Sequence, residues 1–105
     1  GSWLRMRVSD AGFPRPATQI RVCDGYLTAF VDIGWEELKI GVEYDGDQHR
    51  YDRRQFVKDI GRLEMLAECD WLVIRVVSEH SRAFIVRRVH VDFRRRGGLS
   101  LAQSA

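Results

Sequence analysis

Seven residues, Trp71-Leu72-Val73-Ile74-Arg75-Val76-Val77, constrain this chain more than any other stretch. Six are apolar and four of those are β-branched. A run so short and so apolar reads as a buried strand, too apolar for a sheet edge. Helical periodicity flanks it on both sides. Before it, Phe56, Ile60, Leu63 and Ala67 recur at i, i+4, i+7 and i+11, the core face of a helix of about four turns. Asp52 offers that helix an N-cap, and Gln55 three residues on completes a capping box. After it, Ser78 is the expected cap of a second helix whose core face is Ile85, Val86, Val89 and Phe93, ending in Arg94–Gly98.

Three further strand candidates precede the first of these helices: Thr18–Cys23, Leu27–Ile33 and Leu38–Tyr44. Asp24-Gly25 is a strong turn signal between the first two. Connections this short cannot cross over a sheet, so the three form an antiparallel meander. The third strand, the long helix and the apolar run then make a βαβ unit with parallel strands. The expected class is α/β: a mixed sheet of about four strands flanked by helices, in a single domain over residues 1–105. At the N-terminus, Trp3, Leu4 and Val8 suit the last turns of a helix, which Gly12 closes and Pro14 and Pro16 keep from resuming. Gly1-Ser2 reads as a tag remnant and residues 99–105 as a flexible tail. A helix beginning at a tag is expected to start upstream, in a longer protein of which this is the C-terminal part.

Composition narrows the function classes. Hydrophobic residues at 45% and charged residues at 30% exclude disordered, collagenous and coiled-coil chains. No run approaches the ~20 apolar residues of a membrane span. Two cysteines, Cys23 and Cys69, give neither a disulfide framework nor a paired metal knuckle, and they read as small buried hydrophobes in a cytoplasmic protein. Net charge is +2, but unevenly spread. Residues 25–50 carry Lys39 and Arg50 against six acidic residues, whereas residues 81–105 carry six arginines against Asp92 alone. An acidic centre with basic flanks suits a cation site within a polyanion-binding surface. An arginine-rich solvated face is the plainer alternative.

The acidic centre holds the chemistry. Glu43 and Asp45 are two apart on one strand and so share a face. A hairpin turning near residues 36–38 sets Asp32 beside Glu43. Two carboxylates ~7 Å apart repel by roughly 2–3 kcal/mol at an effective dielectric of 20. Such a cluster is kept where something positive sits in it, and hard divalent cations take oxygen ligands; otherwise the side chains face solvent at strand ends. His49, in the polar loop Asp47-Gln48-His49-Arg50, can take a proton from an attacking water. Arg54, Lys58 and Arg62, each four apart, form a basic helix face able to meet phosphates or merely solvate the helix. Arg87 and Arg88, with Arg94–Arg96, can track a nucleic-acid backbone. Trp35 and Tyr51 can stack on bases or belong to the core.

Val31-Asp32-Ile33, Val42-Glu43-Tyr44-Asp45-Gly46-Asp47-Gln48-His49, Lys58-Asp59-Ile60-Gly61-Arg62-Leu63 and Trp71-Leu72-Val73-Ile74-Arg75-Val76 together resemble the small Vsr-like domains of the PD-(D/E)xK nuclease superfamily, relatives of very-short-patch-repair endonucleases. The likeness spans about residues 12–90. It implies a restriction-endonuclease-like core and Mg²⁺-dependent cleavage of DNA phosphodiesters, with Mn²⁺ as a substitute. It also implies metal ligation by Asp32 and Glu43, joined by Asp45, with His49 as the base. Asp45 stands where the superfamily signature carries lysine, and Lys58 or Arg62 would supply that cation from the helix. Cys69-Asp70 stands where the pattern has a glycine at the helix end. DNA is the expected partner, with no membrane and a homodimer left open. The expected function is a metal-dependent DNA endonuclease domain; the alternative is a catalytically inactive nuclease-fold module that binds nucleic acid. An interaction domain whose acidic cluster merely ends its strands is the third reading.

Overall fold

Turn chemistry lays out the sheet. In this computed structural model, which describes residues 2–45 and 52–97, Gly25 adopts φ +97°. Asp24 Oδ1 accepts the N–H groups of Tyr26 and Leu27 at 2.9 and 2.8 Å. That turn joins β1 (Ala17–Cys23) to β2 (Thr28–Trp35). A second turn, closed by Leu38 N–H donating to Trp35 O and with Lys39 at φ +54°, leads to β3 (Ile40–Tyr44). β4 (Leu72–Val76) returns after a helix. The sheet order is β1-β2-β3-β4, the first three strands antiparallel and β4 parallel to β3. The meander and the βαβ unit are as the connection lengths require.

Three helices flank this sheet: α1 (Ser2–Asp10), α2 (Arg53–Glu68) and α3 (Arg82–Arg95). Leu4 and Val8 of α1 and Ile85, Val89 and Phe93 of α3 are fully buried against Ile33, Ile40, Val42, Ile74 and Val76 on one face. Met65 and Leu66 of α2 close the other face over Ile20, Val22, Ala29, Val31 and Trp71. The result is a mixed α/β fold with a four-stranded mixed sheet between helices. Among the described residues no helix is long and apolar enough to cross a membrane.

Three local expectations are corrected, and for Trp35 the core alternative holds. The apolar run forms β4, which lies at an edge of the described sheet rather than inside it; its burial comes from helices over both faces, not from strands on both sides. In α2, Asp52 caps as expected, accepting the Gln55 N–H at 2.8 Å, but the inner face differs. Phe56 and Ile60 are 48% and 43% exposed, and the side turned to the sheet carries Asp59, Arg62, Met65 and Leu66. These follow the same helical period about a third of a turn away. Helix α3 is capped by Ser81, whose Oγ accepts the Phe84 N–H at 3.1 Å. Ser78 instead lies in a turn that His80 closes by accepting the Val77 N–H at Nδ1, 3.1 Å away. Trp35 belongs to the core, packed edge-on against Phe93 at 4.8 Å and donating its Nε1–H to Pro14 O at 2.8 Å, so it is not presented to bases.

One irregularity in β2 matters for function. Ala29 and Val31 pack toward α2, yet Ile33 and Trp35 pack toward α1 and α3. Regular alternation would keep all four on one side. The change falls at Asp32, opposite Gln19, which adopts φ +50° and interrupts the pairing between Thr18↔Ile33 and Ile20↔Val31 without shifting the register. No residue is inserted, so the pairing partners are unchanged and only the facing of the side chains alters. Val31 and Asp32 thus both lie on the α2 face, where Glu43 lies.

Candidate functional site

Three neighbouring strands each deliver one charged side chain to the sheet face beneath α2. The β2–β3 register runs through Ile33↔Val42 and continues to set Asp32 across from Glu43, while Glu43 pairs with Arg75 of β4. Asp32 Oδ2 accepts the Tyr44 N–H at 3.1 Å. Asp45 follows at the exit of β3, its N–H donating to Val76 O at 2.8 Å. Asp59 and Arg62 descend from α2. With Tyr44 these residues line an open cavity of about 200 Å³.

Glu43 is the most deeply placed charge, with a side chain 8% exposed. A buried carboxylate needs charged partners, and it has them. Arg62 Nη1 donates to Glu43 Oε1 at 3.0 Å and Nη2 to Glu43 Oε2, the paired geometry that makes arginine–carboxylate contacts strong. Arg62 Nη2 also donates to the Phe30 carbonyl at 2.9 Å. Arg75 is held differently: Nη1 and Nη2 donate to Asp59 Oδ2 and Oδ1 at 2.9 and 3.2 Å, leaving Nη2 at 3.6 Å from Glu43 Oε1. Burial holds the Arg62 guanidinium below its ordinary pKa, the charge of Arg75 pushes the same way, and Asp32 opposes them. Arginine nevertheless stays charged throughout the working pH range.

Of the residues expected in a site, Asp32, Glu43 and Asp45 are brought to one cavity. His49 and Tyr51 lie outside the described residues. Arg54 and Lys58 are exposed on α2, but Arg62 turns under the helix to Glu43 rather than standing with them as a solvent-facing row. Arg87 and Arg88 are exposed on α3, against the opposite face of the sheet, with Arg88 over the Phe84 ring at 5.7 Å. The basic residues are therefore split between two faces. The cysteines also differ from expectation. Cys23 is exposed, its thiol pKa lowered by the Thr28 side chain first and then by the Gly25 N–H, and Cys69 is only partly buried.

Asp59 and Arg75 were not among the site residues expected from sequence. Arg75 carried a usable signal, as the one charge inside an apolar strand. At that parity it faces α2, where only an acidic partner makes its burial tolerable.

The cavity's chemistry fits a hard divalent cation on two counts. Its donors are carboxylate oxygens, and four acidic against two basic side chains leave a charge of −2. Glu43 meets this description only when Arg62 moves. As arranged, no group of three His, Cys, Asp or Glu side chains among the described residues is positioned to hold a metal ion. No protein-family model, curated protein or solved structure matches the chain.

Proposed function

We propose that this chain is a metal-dependent endonuclease domain of the Vsr-like, PD-(D/E)xK type that hydrolyses DNA phosphodiester bonds. The observation that carries the reading is the change of facing within β2, which leaves Asp32 on the face carrying Glu43 and next to Asp45. The same change of facing seats Ile33 and Trp35 in the α1/α3 core, but gathering mutually repelling carboxylates brings no packing gain and suits a cation site.

In this reading Asp32 and Asp45, joined by Glu43, would hold Mg²⁺ or Mn²⁺. The ion would supply an activated water and shield charge on the scissile phosphate. The chain's own residues do the rest. Lys58 and Arg54, on the exposed part of α2, orient the phosphate backbone, and Arg62 is close enough to the cavity to stabilise developing negative charge. His49, four residues beyond Asp45, takes the proton from the water. DNA approaches the α2 face, so Arg54 and Lys58 contribute more to binding than Arg87 and Arg88.

A second reading, a nuclease fold that only binds nucleic acid, is favoured by the engagement of Glu43 with Arg62 and by aspartate at position 45 in place of lysine. Thermal stability in Mg²⁺ and Mn²⁺ separates the two. An ion binding only the folded state at 100 times its Kd stabilises by ~2.7 kcal/mol, a rise on the order of 10 °C for a domain this size. The endonuclease reading expects that rise in the wild type and its loss in Asp32→Asn. An equal melting temperature with and without both ions sinks it and leaves the binding module.

A further inference from the structure

Glu43 is approached by two guanidinium groups that are held in different ways, and this difference is informative. Arg75 is fixed by two hydrogen bonds to Asp59 and stands 3.6 Å from Glu43. Arg62 has Glu43 as its main acidic partner and stands 3.8 Å from Asp59. Its remaining contact is with the carbonyl of Phe30, a residue 52% exposed at the rim. Its side chain is 27% exposed, against 8% for Glu43. A long cation anchored between a buried carboxylate and the surface can leave that carboxylate without crossing packed core.

Resting on the endonuclease reading, we propose that Arg62 is an exchangeable counter-cation, occupying Glu43 until a divalent ion takes that carboxylate and a DNA phosphate takes the guanidinium. Glu43 never stands alone in this exchange, because Arg75 stays nearby under the hold of Asp59. Departure of Arg62 to a phosphate takes the charge around the cavity from −2 to −3, and the incoming divalent ion brings it to −1. Ion and guanidinium compete for the same oxygens, so ion binding carries the cost of displacing Arg62. A phosphate that captures Arg62 removes that cost. Ion and DNA therefore favour each other, and by linkage each raises the other's affinity by the same factor. The pair makes the site selective for the doubly loaded state and keeps it from filling with metal in the absence of substrate.

Free Mn²⁺, followed by its electron paramagnetic resonance signal, reads this without catalysis. Titrations are made with and without a phosphorothioate duplex that resists cleavage. In the wild type the duplex is expected to tighten Mn²⁺ binding by about tenfold. Arg62→Gln is expected to bind Mn²⁺ about tenfold more tightly than wild type with no DNA present, and to gain less than about twofold from the duplex. Arg53→Gln removes an equal charge from the exposed start of α2 and is expected to match the wild type, which excludes a general field effect. Should Arg62→Gln lose its circular-dichroism signature, Arg62→Lys replaces it. One ammonium is a poorer match to two oxygens than a guanidinium, so this variant is expected to fall between the other two. Mn²⁺ binding that depends on Asp32 but is the same in wild type and Arg62 variants overturns the exchange and leaves the endonuclease reading intact. Failure of all the proteins to bind Mn²⁺, or binding unaffected by Asp32→Asn, overturns both.

Discussion

Glu43 shows how one residue's surroundings decide its meaning. Its spacing to Asp45 was legible because strand alternation is a fixed period, and Asp32 followed once the hairpin was placed. The partner was not legible: Arg62 belongs to a row of basic residues four apart, and nothing in that spacing says which member turns inward. What turned it was the buried carboxylate, since leaving Glu43 uncompensated would cost several kcal/mol. Asp70 shows the converse. Helix ends of this kind favour glycine, and the backbone shows why: Asp70 has φ +73°. There, its N–H donates to Ala67 O, and the Trp71 N–H to Leu66 O, the bonding of a Schellman cap. Glycine adopts that conformation without strain. Asp70→Gly is expected to stabilise the domain by roughly 0.5–1 kcal/mol in urea unfolding, reduced little by loss of the exposed Arg96–Asp70 contact at 3.9 Å. A decrease in stability would mean that this contact outweighs backbone strain.

Among the elements, strands were easier to foresee than helix faces. The meander follows from loop lengths, and the parallel β3–β4 pair from the intervening helix. The change of facing at Gln19 and Asp32 left no mark, because neither residue is a glycine and apolar and polar residues still alternate around it. Helix α2 misled for a physical reason. Phe56 and Ile60 carry a clean apolar period, but the side facing the sheet is spent on Asp59 and Arg62 for the charge cluster. Strand contact itself depends on two glycines placed across from each other, Gly34 and Gly41. A Cβ at Gly34 would stand 2.4 Å from the Ile40 carbonyl oxygen, and one at Gly41 2.5 Å from Val31 Cγ1. The first neighbour is backbone and cannot yield. Gly34→Ala is therefore expected to cost about 2–3 kcal/mol and Gly41→Ala less, both by denaturant unfolding. Gly34→Ala also spreads β2 from β3, so it should weaken Mn²⁺ binding even when the folded protein is isolated. An Asp32–Glu43 site indifferent to that substitution would not depend on the β2–β3 register.

At the scale of the whole molecule, the sheet separates two surfaces. The α2 face carries the cavity, with a charge of −2 among its lining residues, and exposed Arg54 and Lys58 nearby. The α3 face carries Arg87, Arg88, Arg94 and Arg95, all exposed. Composition alone could show that the chain has an acidic centre and basic ends, but not that the terminal helices α1 and α3 share the sheet face opposite the cavity. In the proposed account the first surface does the chemistry and the second adds only salt-dependent attraction for polyanions. The most direct test is conversion of supercoiled plasmid to nicked and linear forms by wild type and Asp32→Asn, purified identically and incubated in Mg²⁺, in Mn²⁺ and in EDTA. The account predicts cleavage by the wild type with either ion, none in EDTA, and a rate lowered by at least about 100-fold in Asp32→Asn. Cleavage that continues in EDTA, or at an equal rate in Asp32→Asn, would contradict it.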